Sequence, residues 1–216
     1  MIKGGEKSRA VVSFAQIFEM VRPLFIVFAF ILVVSCNESS KPEPAQVTKS
    51  KHGEAFNRAV DKALQDYYVL SETFVRWDSA KVLSDANRLD SAIKNIKTGE
   101  TSLDAESAKQ ANLQLFRMQD ALLSLTGNKN LTGRRRDFET LSESFYGFLN
   151  AVRYDNKKLY LQECPMAFND EETAVWLTEK GVDSIRNPYL GLYHPKYKDG
   201  MLECGSNKAT LDFQNK

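Results

Sequence analysis

Between Glu54 and Val152 the apolar residues return every three or four positions, in four successive segments separated by short polar breaks. This periodicity places them on one face of a helix and excludes a sheet-based body for that stretch. The first segment runs from Glu54 to about Trp77 with Phe56, Val60, Ala63, Leu64, Tyr67 and Phe74 on its stripe. The second, Ala80 to Ile96, carries Leu83, Ala86, Leu89, Ile93 and Ile96, and Lys97-Thr98-Gly99 stops it. Thr101 or Ser102 can cap the third, with Asp104 and Glu106 favourable in its first turn. Its stripe is Ala108, Ala111, Leu115, Met118, Leu122 and Leu125, and Gly127-Asn128-Lys129-Asn130 ends it. The fourth runs Phe138, Leu141, Phe145, Phe148, Val152. Four amphipathic segments with short connections predict a mainly α fold, an antiparallel four-helix bundle over residues 54–155. Phe116, Met118 and the Phe138–Phe148 stripe could be read as a cofactor box, but the bland reading is core packing, and the same holds for Tyr67-Tyr68.

After Tyr154 the helical period is lost. Leu159-Tyr160-Leu161 reads as a short strand, and Asn187-Pro188, Gly191 and Gly200 mark turns. Residues 156–207 are expected to form a small irregular cap with a β-hairpin, its core supplied by Trp176, Ile185 and Tyr189, and residues 208–216 a tail.

The other end of the chain reads as an export signal. Leu24 to Val34 is an eleven-residue apolar run, short for a bilayer span, followed by Ser35-Cys36. A small residue before a cysteine at the end of such a run has the form of a bacterial lipobox. Residues 1–35 are then a signal peptide, Cys36 the lipid anchor, and residues 36–53, rich in Ser, Pro, Lys and Glu, a flexible tether containing His52. The expected location is the bacterial cell envelope, lipid-anchored, facing the periplasm or on the outer membrane. The alternative is a plain secretory signal or short anchor, and the start could lie at Met1 or at Met20.

Charge narrows the partners. The 216-residue chain has a net charge of +1, and residues 1–35, with four basic and two acidic side chains, leave about −1 for the rest. The longest basic run is Arg134-Arg135-Arg136. Neither offers the footprint of nucleic-acid binding, and no nucleic-acid partner is expected. Phosphate-loop, zinc-protease and nucleophile-elbow motifs are all absent, so the chain is expected not to be an enzyme. A nucleophilic pair of Cys164 or Cys204 with His194 is formally available but nothing visible activates it, and Asp170-Glu171-Glu172 reads as a solvated turn.

Only two histidines and three cysteines are present, and two of the cysteines stand beside methionines. Cys164 and Met166 share one side of an extended strand; Met201 and Cys204 suit a turn. Two thiolates and two thioethers could converge on a soft ion such as Cu(I). Equally, two cysteines in an exported domain form a disulfide, and closing the 40-residue loop from Cys164 to Cys204 contributes on the order of 4 kcal/mol in the chain-entropy model, with the methionines as gap-fillers. The two states can also alternate, the reduced form binding metal.

The run Cys164-Pro165-Met166-Ala167, Trp176-Leu177, Ile185-Arg186-Asn187-Pro188-Tyr189, Gly191 and Met201-Leu202-Glu203-Cys204-Gly205 resembles the signature of domain-of-unknown-function family 3347. The resemblance extends from about Phe56 to Gly205, in the helices as a pattern only. It implies an exported protein or lipoprotein in the company of heavy-metal efflux pumps, hence a metal site of Cys164, Met166, Met201 and Cys204 for Cu(I), with pump components as partners. The chain departs from the family in lacking a histidine near Arg136-Asp137-Phe138 and in a longer stretch between Gly191 and Met201, which brings His194 as a further candidate ligand.

Overall fold

A computed structural model describes residues 50–214. The expected signal peptide, the anchor Cys36 and the tether up to residue 49 lie outside the described residues. Within them the chain is mainly α with a C-terminal β subdomain: four helices, then a three-stranded antiparallel sheet.

The helices are α1 (Glu54–Val75), α2 (Ser79–Lys94), α3 (Ala105–Gly127) and α4 (Leu131–Ala151). Each of the last three begins at a short side chain that accepts from the first-turn backbone, the arrangement that satisfies otherwise orphaned N–H groups. Asp78 accepts from Lys81 N–H (3.2 Å), Asp104 from Ser107 N–H (2.9 Å) and Asn130 from Gly133 N–H (2.7 Å). Two expectations shift here. Asp104 itself is the cap of α3, because its carboxylate accepts from Ser107 N–H, two or three residues further along than a cap at Ser102 or Thr101 would place the first turn. Asn130, expected to end α3, starts α4 one residue on.

The predicted stripes are the core. Phe56, Leu64, Tyr67, Phe74, Leu89, Met118, Leu122, Phe138, Leu141, Phe145 and Phe148 are all essentially inaccessible. The exceptions are few: Leu83 faces solvent and Val82, one position earlier, is buried; Ala108 is half-buried; and Phe116, expected to pack in the core, is 66% exposed. Neighbouring helices pack in chain order, α1 on α2, α2 on α3, α3 on α4.

The sheet has order β2-β1-β3, with β1 (Leu159–Phe168), β2 (Glu172–Thr178) and β3 (Ser206–Leu211). β1 is far longer than the three residues Leu159-Tyr160-Leu161 expected, and β3 crosses residue 207, where the tail was expected to begin. β1 and β2 form a hairpin across the three residues 169–171, with Asn169 (φ 52°) and Asp170 (φ 67°) in the left-handed region, which these two residue types tolerate, and Glu171 N–H donating to Phe168 O (3.1 Å).

An edge strand leaves backbone groups unpaired, and here one tyrosine from α1 and one from the turn around residue 189 take them. The Leu177 N–H of β2 donates to Tyr67 Oη (3.0 Å), which is itself 2.7 Å from Ser142 Oγ, and Ser142 Oγ is 2.7 Å from Phe138 O. The Tyr189 hydroxyl donates to Val175 O. Helix α4 packs on this strand. The burial that seals the edge also holds both phenols well above their ordinary pKa.

Candidate sulfur site

Cys164 sits in β1, the central strand, opposite Ala174 of β2, and is completely buried. Cys204 lies in the turn just before β3 and is partly exposed. The two are joined in a disulfide, with Cα atoms 5.8 Å apart across a separation of 40 residues. The fold therefore brings together the two cysteines that the sequence placed far apart.

Their methionine neighbours are close by in chain but differently held. The β1–β2 register shifts between Cys164 and Phe168, so the regular alternation that would put Cys164 and Met166 on one side is interrupted there. Met166 and Met201 are both half-buried and pack, like Cys204, against the main hydrophobic cluster.

What positions Cys204 is Asn187, a residue whose role its sequence surroundings did not disclose. Asn187 is fully buried and uses its backbone and both side-chain polar atoms. Its Nδ2 donates to Cys204 O (2.8 Å), and its N–H to Leu202 O (2.8 Å). Its Oδ1 accepts from Tyr189 N–H (2.8 Å) and Leu190 N–H (3.0 Å), and its O from Gly191 N–H (2.9 Å). One side chain thus ties the Met201–Cys204 turn to the 189–191 turn. The only signal in the sequence was the Asn-Pro dipeptide, which marks a turn but not a hub.

The 189–191 turn is in turn clamped to the end of α1. Leu192 N–H donates to Val75 O (2.8 Å) and Trp77 Nε1 to Leu190 O (3.1 Å). Gly191 has φ 57°, and a Cβ there would lie 2.5 Å from Val75 O, so both its backbone and its space require glycine. Gly205, next to Cys204, is constrained by space: a Cβ would meet the Trp176 ring at 2.8 Å.

Arg135 completes the clamp. Its guanidinium, 3% exposed, donates to Pro188 O (3.0 Å) and Phe74 O (2.9 Å) and lies 3.9 Å from the Trp77 ring centroid. Burial lowers its pKa to about 9, which leaves it charged at neutral pH. The carbonyls and the aromatic face stand in for the solvent it has lost.

His194 belongs to this corner. Its ring meets Trp77 edge-on (5.4 Å) and stacks on Tyr197 (5.1 Å). Its Nδ1 accepts from the backbone N–H groups of Lys196 and Tyr197, both at 3.2 Å. Burial, then the nearby Arg135 charge, lower its pKa. These contacts leave Nε2 as the nitrogen with coordinating capacity. Asp170 accepts from Lys196 and from the Tyr197 hydroxyl (2.6 Å), so the expected acidic turn anchors the His194 loop.

Among the described residues no group of three or more His, Cys, Asp or Glu side chains is placed to hold a metal. The soft donors of this corner are the sulfurs of Cys164 and Cys204, joined here in a disulfide and available as thiolates only on reduction, with the thioethers of Met166 and Met201 nearby in chain. At about 2.3 Å per metal–thiolate bond, taken from zinc sites, two sulfurs can share one ion from the observed Cα separation of 5.8 Å.

The fold and this site define a mainly helical domain carrying a disulfide-tied β subdomain. Residues 63–157 match the model of a protein family of unknown function, DUF3347. The match begins within α1, covers the other three helices and stops before Cys164. The family is therefore supported by the part of the chain that resembled it only in pattern, and the sulfur-bearing run lies beyond the matched residues. No curated protein and no solved structure matches the chain.

Proposed function

We propose that the protein is a cell-envelope lipoprotein, anchored through Cys36, whose Cys164–Cys204 pair binds Cu(I) when reduced and forms a disulfide when oxidised. In this reading the four helices close as an antiparallel bundle and serve as the platform for the sulfur pair. Met166 and Met201 supply thioether donors, His194 a further ligand through Nε2, and components of a heavy-metal efflux pump are the partners. The observation that carries the reading is the meeting of Cys164 and Cys204 at 5.8 Å between Cα atoms. The link to copper comes from the family resemblance. Exchange between the states is balanced by a dithiol: two electrons and two protons enter the disulfide, and the donor leaves as a disulfide.

The test is Cu(I) titration against a weak competing chelator, on protein reduced with a phosphine and on oxidised protein. One equivalent taken up only by the reduced form supports the reading. A reduced protein that takes up none defeats it. Replacing Met166 and Met201 together should then weaken Cu(I) binding.

A second reading is favoured by the disulfide itself and by the complete burial of Cys164. The pair is then a permanent staple, and the protein a structural or interaction lipoprotein without metal. It predicts a bond intact throughout the life of the protein in the envelope and no Cu(I) affinity.

A further inference from the structure

We infer that the Cys164–Cys204 bond is opened from one side only: Cys204 is the sulfur that a dithiol reductant attacks, and Cys164 is the leaving group. This rests on the reading that the pair works in its reduced form, and it adds the class of partner and the atom that partner must reach.

The argument is the asymmetry of the two half-cystines. A thiolate must approach the sulfur it attacks from the side opposite the bond being broken, so access selects between the two sulfurs. Cys164 has no exposed surface and belongs to the core, in a central strand flanked by β2 and β3. A reagent reaches it only where the core packed around it opens. Cys204 is partly exposed, lies outside any strand, and is preceded by the exposed Glu203.

Attack on Cys204 forms a mixed disulfide between its Sγ and the partner. The Cys164–Cys204 bond breaks and its electron pair leaves on Cys164 Sγ, which takes a proton because an apolar setting disfavours the thiolate. The partner's second thiolate then attacks its own sulfur in the mixed disulfide. It releases Cys204 as thiolate and carries away the new disulfide. Atoms and electrons balance with one dithiol consumed. Cys204 does not drift away meanwhile: its carbonyl stays hydrogen-bonded to Asn187 Nδ2 and its N–H to Met201 O (3.1 Å). The turn is thus held ready for metal or for reclosure.

The probe is reduced glutathione on the oxidised full-length protein, quenched with acid and mapped by peptide mass, with the Cys36 peptide read separately. Glutathione should be found on Cys204 with Cys164 free, exceeding the reverse adduct by roughly tenfold or more. Equal labelling, an excess on Cys164, or a bond that resists glutathione until denaturant is added overturns the inference. Where reduction completes without a captured adduct, Cys164→Ser and Cys204→Ser, each with Cys36→Ser and helical by circular dichroism, decide the matter. The Cys204 thiol should then react with dithiobis-nitrobenzoate at least about tenfold faster than the Cys164 thiol, and equal rates overturn the inference. Phosphine reduction forms no mixed protein disulfide, so Cu(I) uptake after phosphine treatment tests the metal reading on its own. The two failures are therefore distinguishable.

Discussion

Asn187 shows how much of a subdomain can hang on one amide. Its side chain satisfies two buried N–H groups, Tyr189 and Leu190, and the part-buried Cys204 O. Each buried group left unpaired costs about 1–3 kcal/mol, so Asn187→Ala should destabilise the protein by at least about 2 kcal/mol in urea unfolding. Asn187→Asp keeps the acceptor and loses the donor to Cys204 O, and should recover only part of that. Arg135 works in the same way with a charge. It bridges Phe74 O at the end of α1 and Pro188 O, under Trp77, with no carboxylate partner among the described residues. Lysine cannot reproduce a planar fork that serves two carbonyls at once, so Arg135→Lys should cost about 1–3 kcal/mol despite its retained charge, measured by the same denaturation. A cost indistinguishable from zero would mean that water replaces the guanidinium.

At the scale of elements, the joint between helices and sheet is polar at its centre. The edge of β2 is closed by Tyr67 Oη on Leu177 N–H and by Tyr189 on Val175 O. Tyr67→Phe keeps the ring stack on Phe138 (5.1 Å between centroids) and removes only the hydroxyl. It should cost about 1–3 kcal/mol, and amide hydrogen exchange at Leu177 should accelerate more than at other β2 amides. The helical elements were legible in the sequence because a 3.6-residue period survives small errors of phase: Leu83 is misplaced by one position, yet the helix stands. The sheet was less legible. β1 is buried on both faces near its start, with Leu161 and the polar Gln162 both inaccessible, so no alternation advertises its length. β3 is mostly exposed and owes its existence to pairing with β1 rather than to any pattern of its own. Of the site, the cysteine pair could be found by counting sulfurs. Asn187 and Arg135 could not, because their roles depend on carbonyls brought together from distant segments.

For the whole molecule, the decisive constraint is the long excursion between β2 and β3. It leaves the sheet after Thr178, touches the end of α1 at Val75, and returns at Ser206 beside the central strand. Two devices hold it: the hydrogen-bonded clamp around Asn187, Gly191 and Arg135, and the Cys164–Cys204 bond. They act at different times. The clamp exists only in the folded protein, whereas the disulfide restricts the unfolded chain as well. Closing a 40-residue loop lowers the entropy of the unfolded state enough to contribute about 4 kcal/mol to stability in the chain-entropy model. Reduction should therefore lower the urea midpoint by a comparable amount of stability while leaving the far-UV helical spectrum unchanged in water, because the helices and the clamp do not depend on the bond. Loss of helix on reduction would mean that the disulfide holds the helical part together, a result that favours the permanent staple. A reduced protein that keeps its helices yet regains most of the lost stability with one equivalent of Cu(I) would show the metal replacing the bond as the closure of the same loop. That outcome is expected if the pair is a metal site, because a ligand bound only by the folded state stabilises it by mass action.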